Sequence, residues 1–334
     1  MAQVLVVGAG VTGCTVAYTL AELGIDVTLL EKADRIGGKV RKYGCKAAPR
    51  CQNCGVCLTT GLWDKVEKHE KIHVTGTVPV TTCQENRPPD NSDTFDAIVI
   101  CTGFDNQTLP DRFSSHLHIT NTTGIITGTQ LEELMLGRTG TGLFENSDIL
   151  TKAPNSIAFI QCVGSRDLNE SGLYCSRVCC SYSTRAAKVI RSYYSDCEIV
   201  FFYMELQNVE SGDYYKGLSE LGVKFIECRP LKLTGGESVT VEYDDGQESG
   251  IKSKEFDLVV LSDGIYAGKE NDLLAELYGL DIDKDGFLLP VGSDIGNKPA
   301  VYVAGCARVP MKIDEAYADA ITVAGKVLSQ VNKA

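Results

Sequence analysis

Apolar residues in this chain gather into short, nearly unbroken runs that close on glycine. VLVV at 4–7 runs into Gly8, FDAIVIC at 95–101 into Thr102-Gly103, and NSIAFIQC at 155–162 into Val163-Gly164. FDLVVLSDG at 256–264 and PAVYVAG at 299–305 have the same form, and CEIVFFYMEL at 197–206 is a similar run without the closing glycine. Runs of this length with little polar alternation predict buried strands. The more mixed segments DVTLLEK (26–32), VKFIECRPLKL (223–233) and SVTVEYDD (238–245) predict three further strands. Between them the apolar period lengthens to that of a helix. Val16, Leu20 and Leu23 fall on one face of Cys14–Leu23, and Gly24 stops that helix. Val178 to Tyr193 is also helical, and a long helix carrying alanine and glycine on one face ends near Leu328. PPDNSD at 88–93 reads as a turn or loop. Alternation of strand and helix predicts the α/β class.

The first strand and helix enclose Gly8-x-Gly10-x-x-Gly13, and the second strand ends in Glu31. In such a turn the first glycine permits the sharp bend. The second lets the backbone approach a pyrophosphate, and the third lets helix and strand pack closely. The helix start offers free N–H groups to the phosphates, and Glu31 can accept from ribose hydroxyls. With Val11, Thr12 and Lys32 these residues form a candidate dinucleotide site, open to NAD or FAD. Gly37 and Gly38 in RIGGK, followed by Lys39, resemble the second glycine pair of two-dinucleotide-binding flavoproteins, and Thr102-Gly103 resembles their ATG-type motif. These favour FAD. Near the C-terminus Gly305-Cys306 stands where that superfamily has Gly-Asp, so Cys306 replaces the aspartate and its contact to the ribityl chain is not expected. The helix start from Ile313 to Ala316 is positioned to turn its dipole toward a flavin.

Net charge changes the list of partners. At −12 the chain offers no basic footprint for nucleic acid. No apolar stretch approaches the roughly 20 residues of a membrane span. Met1 leads almost at once into VLVVG, so no signal peptide is expected.

Cysteine content changes the picture most. There are 14, an unusual number to find without an export signal, and the count points to metal or redox chemistry. Cys14, Cys83, Cys101, Cys197, Cys228 and Cys306 are scattered and read as small core hydrophobes. Cys162, Cys175, Cys179 and Cys180 lie in a single stretch. Cys162 ends the strand where a second dinucleotide turn should carry GxGxxG, yet only Gly164 stands near that turn. Nicotinamide binding there is not expected. Cys175 and Cys179, four apart, share a face if the segment between them is helical, with Cys180 about a quarter turn away. Four thiolates suit a [4Fe–4S] cluster or a structural zinc. Arg166, Arg177 and Arg185 are placed to offset the cluster's negative charge.

A second quartet, Cys45, Cys51, Cys54 and Cys57, follows the glycine pair. Three readings stay open: a redox thiol pair near the flavin, a second cluster or a share in the first, and a structural zinc knot. Lys46 and Arg50 would favour thiolate in the functional readings. Lys39 and Arg41 follow the glycine pair and face either a flavin phosphate or solvent. His69 and His73 read as a surface helix edge or loop, and Tyr193 and Tyr194 as packing.

Taken together, FIQCVGSRD, YCSRVCC, VYVAGCA and RIGGK resemble the HdrA family, the flavoprotein component of heterodisulfide reductase, from Val4 to about Leu328. The resemblance implies a thioredoxin-reductase-like fold. It also implies FAD, and a [4Fe–4S] cluster held by Cys162, Cys175, Cys179 and Cys180. It places a discontinuous FAD domain at 1–150 and 266–334, and an altered nicotinamide-type domain carrying the cluster at 151–265. It implies an oxidoreductase component working with the other members of a heterodisulfide-reductase-like complex, as a homodimer. No ferredoxin-type CxxCxxCxxxCP insert is present, so the short form is similar to the flavoprotein of cytoplasmic sulfur-oxidising complexes. A pyridine-nucleotide-dependent disulfide reductase using a pair among Cys45, Cys51, Cys54 and Cys57 is the alternative.

Overall fold

A computed structural model describes residues 2–76, 95–106, 117–136, 142–144, 153–166, 173–207, 213–247, 249–290 and 299–332. Cys83 and the PPDNSD loop at 88–93 lie outside the described residues.

The chain forms two compact units: 1–41, 55–105 and 265–334 make the first, 42–54 and 106–264 the second. In the first, five parallel strands stand in the order β16-β4-β1-β2-β3. They are β1 (Gln3–Val7), β2 (Asp26–Glu31), β3 (Ile72–Gly76), β4 (Ala97–Ile100) and β16 (Ala300–Val303). The apolar runs explain the layers. Val4, Val6, Val27, Leu29 and Val99 face one core, which α1 (Val11–Glu22) and α7 (Ile313–Val331) close with Leu20, Ala320 and Val323. Leu5, Val7, Ile98 and Ile100 face the other with Leu274 of α6 (Asn271–Tyr278) and Leu288 of β15 (Leu288–Leu289). Alternate residues of each strand are thus buried on opposite faces, as an unbroken apolar run requires. β14 (Asp281–Ile282) pairs with β15.

The second unit repeats the plan. Its parallel sheet has the order β6-β13-β7-β8-β9. These are β6 (Ile125–Thr127), β7 (Ser156–Val163), β8 (Glu198–Tyr203), β9 (Lys224–Glu227) and β13 (Leu258–Asp263). Ile157, Phe159, Ile199 and Phe201 face α3 (Gly128–Leu136), α4 (Cys179–Tyr193) and α5 (Asp213–Glu220), and the Phe159 and Phe201 rings stack at 4.7 Å. Ala158, Ile160, Val200 and Phe202 face a second sheet instead, of order β12-β11-β10-β5. Its strands are β5 (His118–Ile119), β10 (Pro230–Thr234), β11 (Val239–Tyr243) and β12 (Lys252–Phe256), contributing Leu233, Val241 and Phe256.

Three expectations change. VKFIECRPLKL is two strands, not one. The chain leaves the parallel sheet after Glu227, and Pro230, which has no N–H, opens β10 of the other sheet. β12, in a charged KSKEF run, carried no apolar signal. The compact division also falls earlier than 150/151. β6 pairs with β13 and β5 with β10, which draws 106–150 into the second unit, and 42–54 joins it too.

Candidate functional site

The first unit builds its glycine turn at the C-terminal ends of β1 and β4. Gly8 has φ +97°, and a Cβ there would lie 2.6 Å from the Cys101 carbonyl oxygen. At Gly13 a Cβ would lie 1.8 Å from Gly8 O, so α1 can pass this close only through glycine. Gly10 caps α1 without a side-chain hydrogen bond, and nothing stands within 4 Å of where its Cβ would be. Glu31 is buried: Ala9 N donates to one carboxylate oxygen and Ala33 N to the other, each at 2.9 Å. Gly37 N donates to Ala9 O at 2.7 Å, and a Cβ on Gly38 would sit 3.0 Å from Gly10 Cα. The second glycine pair is therefore folded onto the first turn. Thr102 Oγ1 is buried and without a hydrogen-bond partner among the described residues, and Gly103 faces open space. An orphaned buried hydroxyl beside an open glycine cradle and uncapped helix N–H groups fits a dinucleotide's diphosphate and ribose.

Gly305 closes on the same turn, since its Cβ would meet Thr12 Oγ1 at 2.1 Å. Cys306 is buried and donates to Met311 O, and burial pushes its thiol up to about 11. The sequence reading missed Asp319 on α7. Its carboxylate accepts from Gly305 N at 2.8 Å and from Arg308 Nη2 at 2.6 Å, which fixes the 305–307 turn. An acid on the alanine-lined face of that helix was the available signal. Ile313 opens α7 and packs on Gly55, the cap of α2 (Val56–Lys68), which carries Cys57. Lys39 Nζ lies 5.3 Å over the Phe104 ring, and Arg41 lies 4.6 Å over Trp63. Lys32 pairs with Glu270 at the surface. His69 bridges Glu22 at 3.3 Å at the end of α2, and exposed His73 lies in β3.

The second unit brings Cys162, Cys175, Cys179 and Cys180 together. Cys162 sits at φ +57° where β7 slips against β13: Ile160 pairs with Leu261, but Val163 pairs with Asp263. That extra residue is a bulge, which re-aims a side chain at a strand end. Cys179 and Cys180 begin α4. Cys175 lies in the loop before it, because Arg177 at φ +64° interrupts any helix there; the shared helical face with Cys179 is not formed. Arg177 N instead donates to Cys175 Sγ at 3.3 Å. Cys162 and Cys179 share a thiol hydrogen bond, as do Cys179 and Cys180, and Cys175 is electrostatically coupled to Cys162 and Cys180. The bonds to Cys162 and Cys180, with full burial, hold Cys179 protonated well above the ordinary thiol range; the same Cys179 bond pulls Cys162 down. Desolvation raises Cys175. Among the described residues no His, Cys, Asp or Glu group stands in ready-made metal geometry. Cys162 and Cys180 are linked through Cys179 by thiol hydrogen bonds, Cys175 accepts from Arg177 N instead, and ligation requires all four to be deprotonated.

Three positive-φ residues that are not glycine, Cys162, Arg166 (+58°) and Arg177, flank this cluster. Each costs on the order of 1–3 kcal/mol and persists only where the surroundings impose it. Gln161 Oε1, Arg166 Nη1 and Ser181 Oγ are buried near it without partners among the described residues. Three thiols linked by hydrogen bonds and a fourth coupled to two of them, with strained backbone and the unused donors of Arg166 and Ser181, supply the donor set of a thiolate-ligated metal group.

The remaining quartet is divided: Cys45, Cys51 and Cys54 belong to the second unit and Cys57 to the first. Two charge assignments need correction. Lys46 is buried in an ion pair with Glu132 and also donates to Gly44 O, so it is committed there and not to the adjacent thiols. Arg185 Nε donates to Gln52 O at 2.9 Å, tying the 51–54 loop to α4. Tyr194 stacks on Phe144 at 5.7 Å, in keeping with packing.

Residues 6–55 match the NAD(P)-binding Rossmann-like domain family. The thioredoxin reductase of T. acidophilum superposes with a TM-score of 0.63 at 16% identity, covering 98% of this chain and 99% of its own. That of Lactococcus lactis gives 0.62 at 13%, covering all of both. The expected thioredoxin-reductase-like fold is borne out. In sequence, an iron-sulfur A-subunit of the CoB–CoM heterodisulfide reductase of Methanopyrus kandleri is 25% identical over 97% of this chain and 63% of its own. The corresponding A-subunit of Methanocaldococcus jannaschii is 33% identical over 61% of this chain and 32% of its own. The chain thus spans less than two thirds of these relatives. Over nearly its whole length, it is homologous to the HdrA component of heterodisulfide reductases, as its cysteine motifs indicated.

Proposed function

We propose that this chain is an oxidoreductase component that passes electrons between FAD in the first unit and a [4Fe–4S] cluster in the second. It would work within a heterodisulfide-reductase-like complex acting on sulfur or disulfide-linked carriers. The carrying observation is the meeting of Cys162, Cys175, Cys179 and Cys180 at a bulged strand end, in the turn that would otherwise hold a nicotinamide fingerprint. A flavin supplies two-electron exchange and a cluster one-electron exchange. The chain's own residues provide holding and spacing. Gly10, Gly38 and the α1 N–H groups would receive the diphosphate, Glu31 and Thr102 would hold hydroxyls, and the four thiolates would ligate iron. The names of the two relatives above, both of which specify an iron-sulfur subunit, support this reading. Assembly with further proteins of the complex, a homodimer and a cytoplasmic site belong to the same proposal. Among the described residues no helix is long and apolar enough to cross a membrane.

The test is anaerobic reconstitution with iron and sulfide, followed by iron analysis and visible and EPR spectra. Wild type should take up four irons per cluster and Cys179→Ser should not. Full cluster content in Cys179→Ser, or zinc alone in anaerobically purified protein, would sink the assignment. Rapid bleaching of the flavin by NADH or NADPH would favour the disulfide-reductase alternative at Cys45 to Cys57.

A further inference from the structure

We infer that Arg166, steered by Glu205, is the residue that sets the potential of the redox group held by Cys162, Cys175, Cys179 and Cys180. This rests on the cluster reading above and deepens it. The sequence offers Arg166, Arg177 and Arg185 as equal candidates, and the structure separates them. Arg185 points to the 51–54 loop, donating from Nε to the Gln52 carbonyl at 2.9 Å and from Nη2 to the Asn53 carbonyl at 3.5 Å. Arg177 acts through its backbone N–H, which meets Cys175 Sγ. Arg166 alone of the three has a guanidinium nitrogen, Nη1, buried with no acceptor among the described residues.

The placement of that nitrogen is built. Arg166 lies two residues past Gly164 in the turn that follows the Cys162 bulge, at φ +58°. Its N–H donates to Tyr174 O at 3.2 Å, and Ser165 and Ser176 join hydroxyls at 2.8 Å, so the turn is pinned to both sides of Cys175. Nη2 donates to Glu205 Oε2 at 2.8 Å, fixing the plane of the fork. The charge is electrostatically coupled to Cys162 and Cys175; Arg229 also acts on Cys162, but only Arg166 leaves a guanidinium nitrogen buried without an acceptor among the described residues around the thiols. A buried donor left over in a coupled guanidinium is costly unless something anionic accepts from it. Thiolate sulfur around a cluster core is such an acceptor, and hydrogen bonds and charge at the sulfurs set cluster potentials. The cation favours the reduced, more negative form. Glu205, with its side chain 60% exposed, screens part of that charge and holds the fork in place.

The test is an EPR-monitored redox titration of the anaerobically reconstituted chain, with iron content measured on the same samples. Arg166→Gln should keep its iron and become about ten-fold harder to reduce, a fall of about 59 mV for one electron. Arg166→Lys, whose single ammonium Glu205 captures, should fall in the same direction. Lys232→Gln removes the same charge from a part-exposed position on β10, where it pairs with Glu242, and should leave the midpoint where it is. A wild-type midpoint in iron-replete Arg166→Gln overturns the inference while the cluster reading stands. If Arg166→Gln fails to hold iron, iron-replete Arg166→Lys decides: a wild-type midpoint there overturns it as well. Absence of iron from wild type is a different result and removes the cluster reading itself.

Discussion

Three glycines in one turn carry three separate physical demands, and substitution separates them. At Gly13 an alanine Cβ would collide with backbone at 1.8 Å, and at Gly8 it would meet both a 2.6 Å contact and φ +97°. Neither collision involves a side chain that can swing away. Each Gly→Ala change is expected to cost about 3 kcal/mol or more in thermal or denaturant unfolding. Gly10 differs: its φ is −75° and the space beside it is open. Gly10→Ala should therefore unfold like wild type without cofactor yet fail to retain flavin on gel filtration, because the methyl occupies the diphosphate's approach. Equal flavin content in Gly10→Ala and wild type would remove this turn from the proposed site.

Elements are positioned by a few buried charges that carry no periodic signal. Segment 42–54 is fastened to α3 by the Lys46–Glu132 pair, with side chains only 3% and 9% exposed. Burial raises the Glu132 carboxyl even against its lysine. Removing one partner strands the other, so Glu132→Ala should cost about 3–5 kcal/mol by denaturant titration, while Lys46→Met with Glu132→Leu should recover most of it. A milder case is Glu198 at the start of β8, where hydrogen bonds from Lys224 and Lys254 hold the carboxyl below its ordinary value. A depressed carboxyl stabilises the fold above its unfolded pKa, and that stability is lost as pH falls through the folded value. Glu198→Gln should flatten the acid side of a melting-temperature profile by no more than about 1 kcal/mol, since the pair is part-exposed. The strands were legible because runs such as AIVI and SIAFIQCV need both faces covered. The break at Cys228-Arg229, strand β12 and the role of Lys46 were not. Each depends on which distant element stands opposite, and the local pattern does not record that.

At the scale of the molecule, the proposed cofactors fall on different units, and the chain crosses between units repeatedly. The motifs showed that two dinucleotide-type folds were present and that one had exchanged glycines for cysteines. They did not show that Cys45, Cys51 and Cys54 part company with Cys57, since a boundary between Cys54 and Gly55 has no compositional mark. If each unit holds its own group, the two losses must be separable. Cys179→Ser removes a buried thiol from the second unit and leaves the Gly8–Gly13 turn untouched, so it should lose iron and keep stoichiometric flavin. Gly10→Ala should lose flavin and keep iron and sulfide at wild-type levels. Flavin absorbance after acid release and iron per chain, on the same anaerobic preparations, give all four values. The double variant should show both losses, with no further drop in the unfolding midpoint beyond the sum of the single changes. Loss of both groups from either single variant would contradict the assignment of one group to each unit, because a local Cβ or thiol change would then be governing a site built by the other unit's residues.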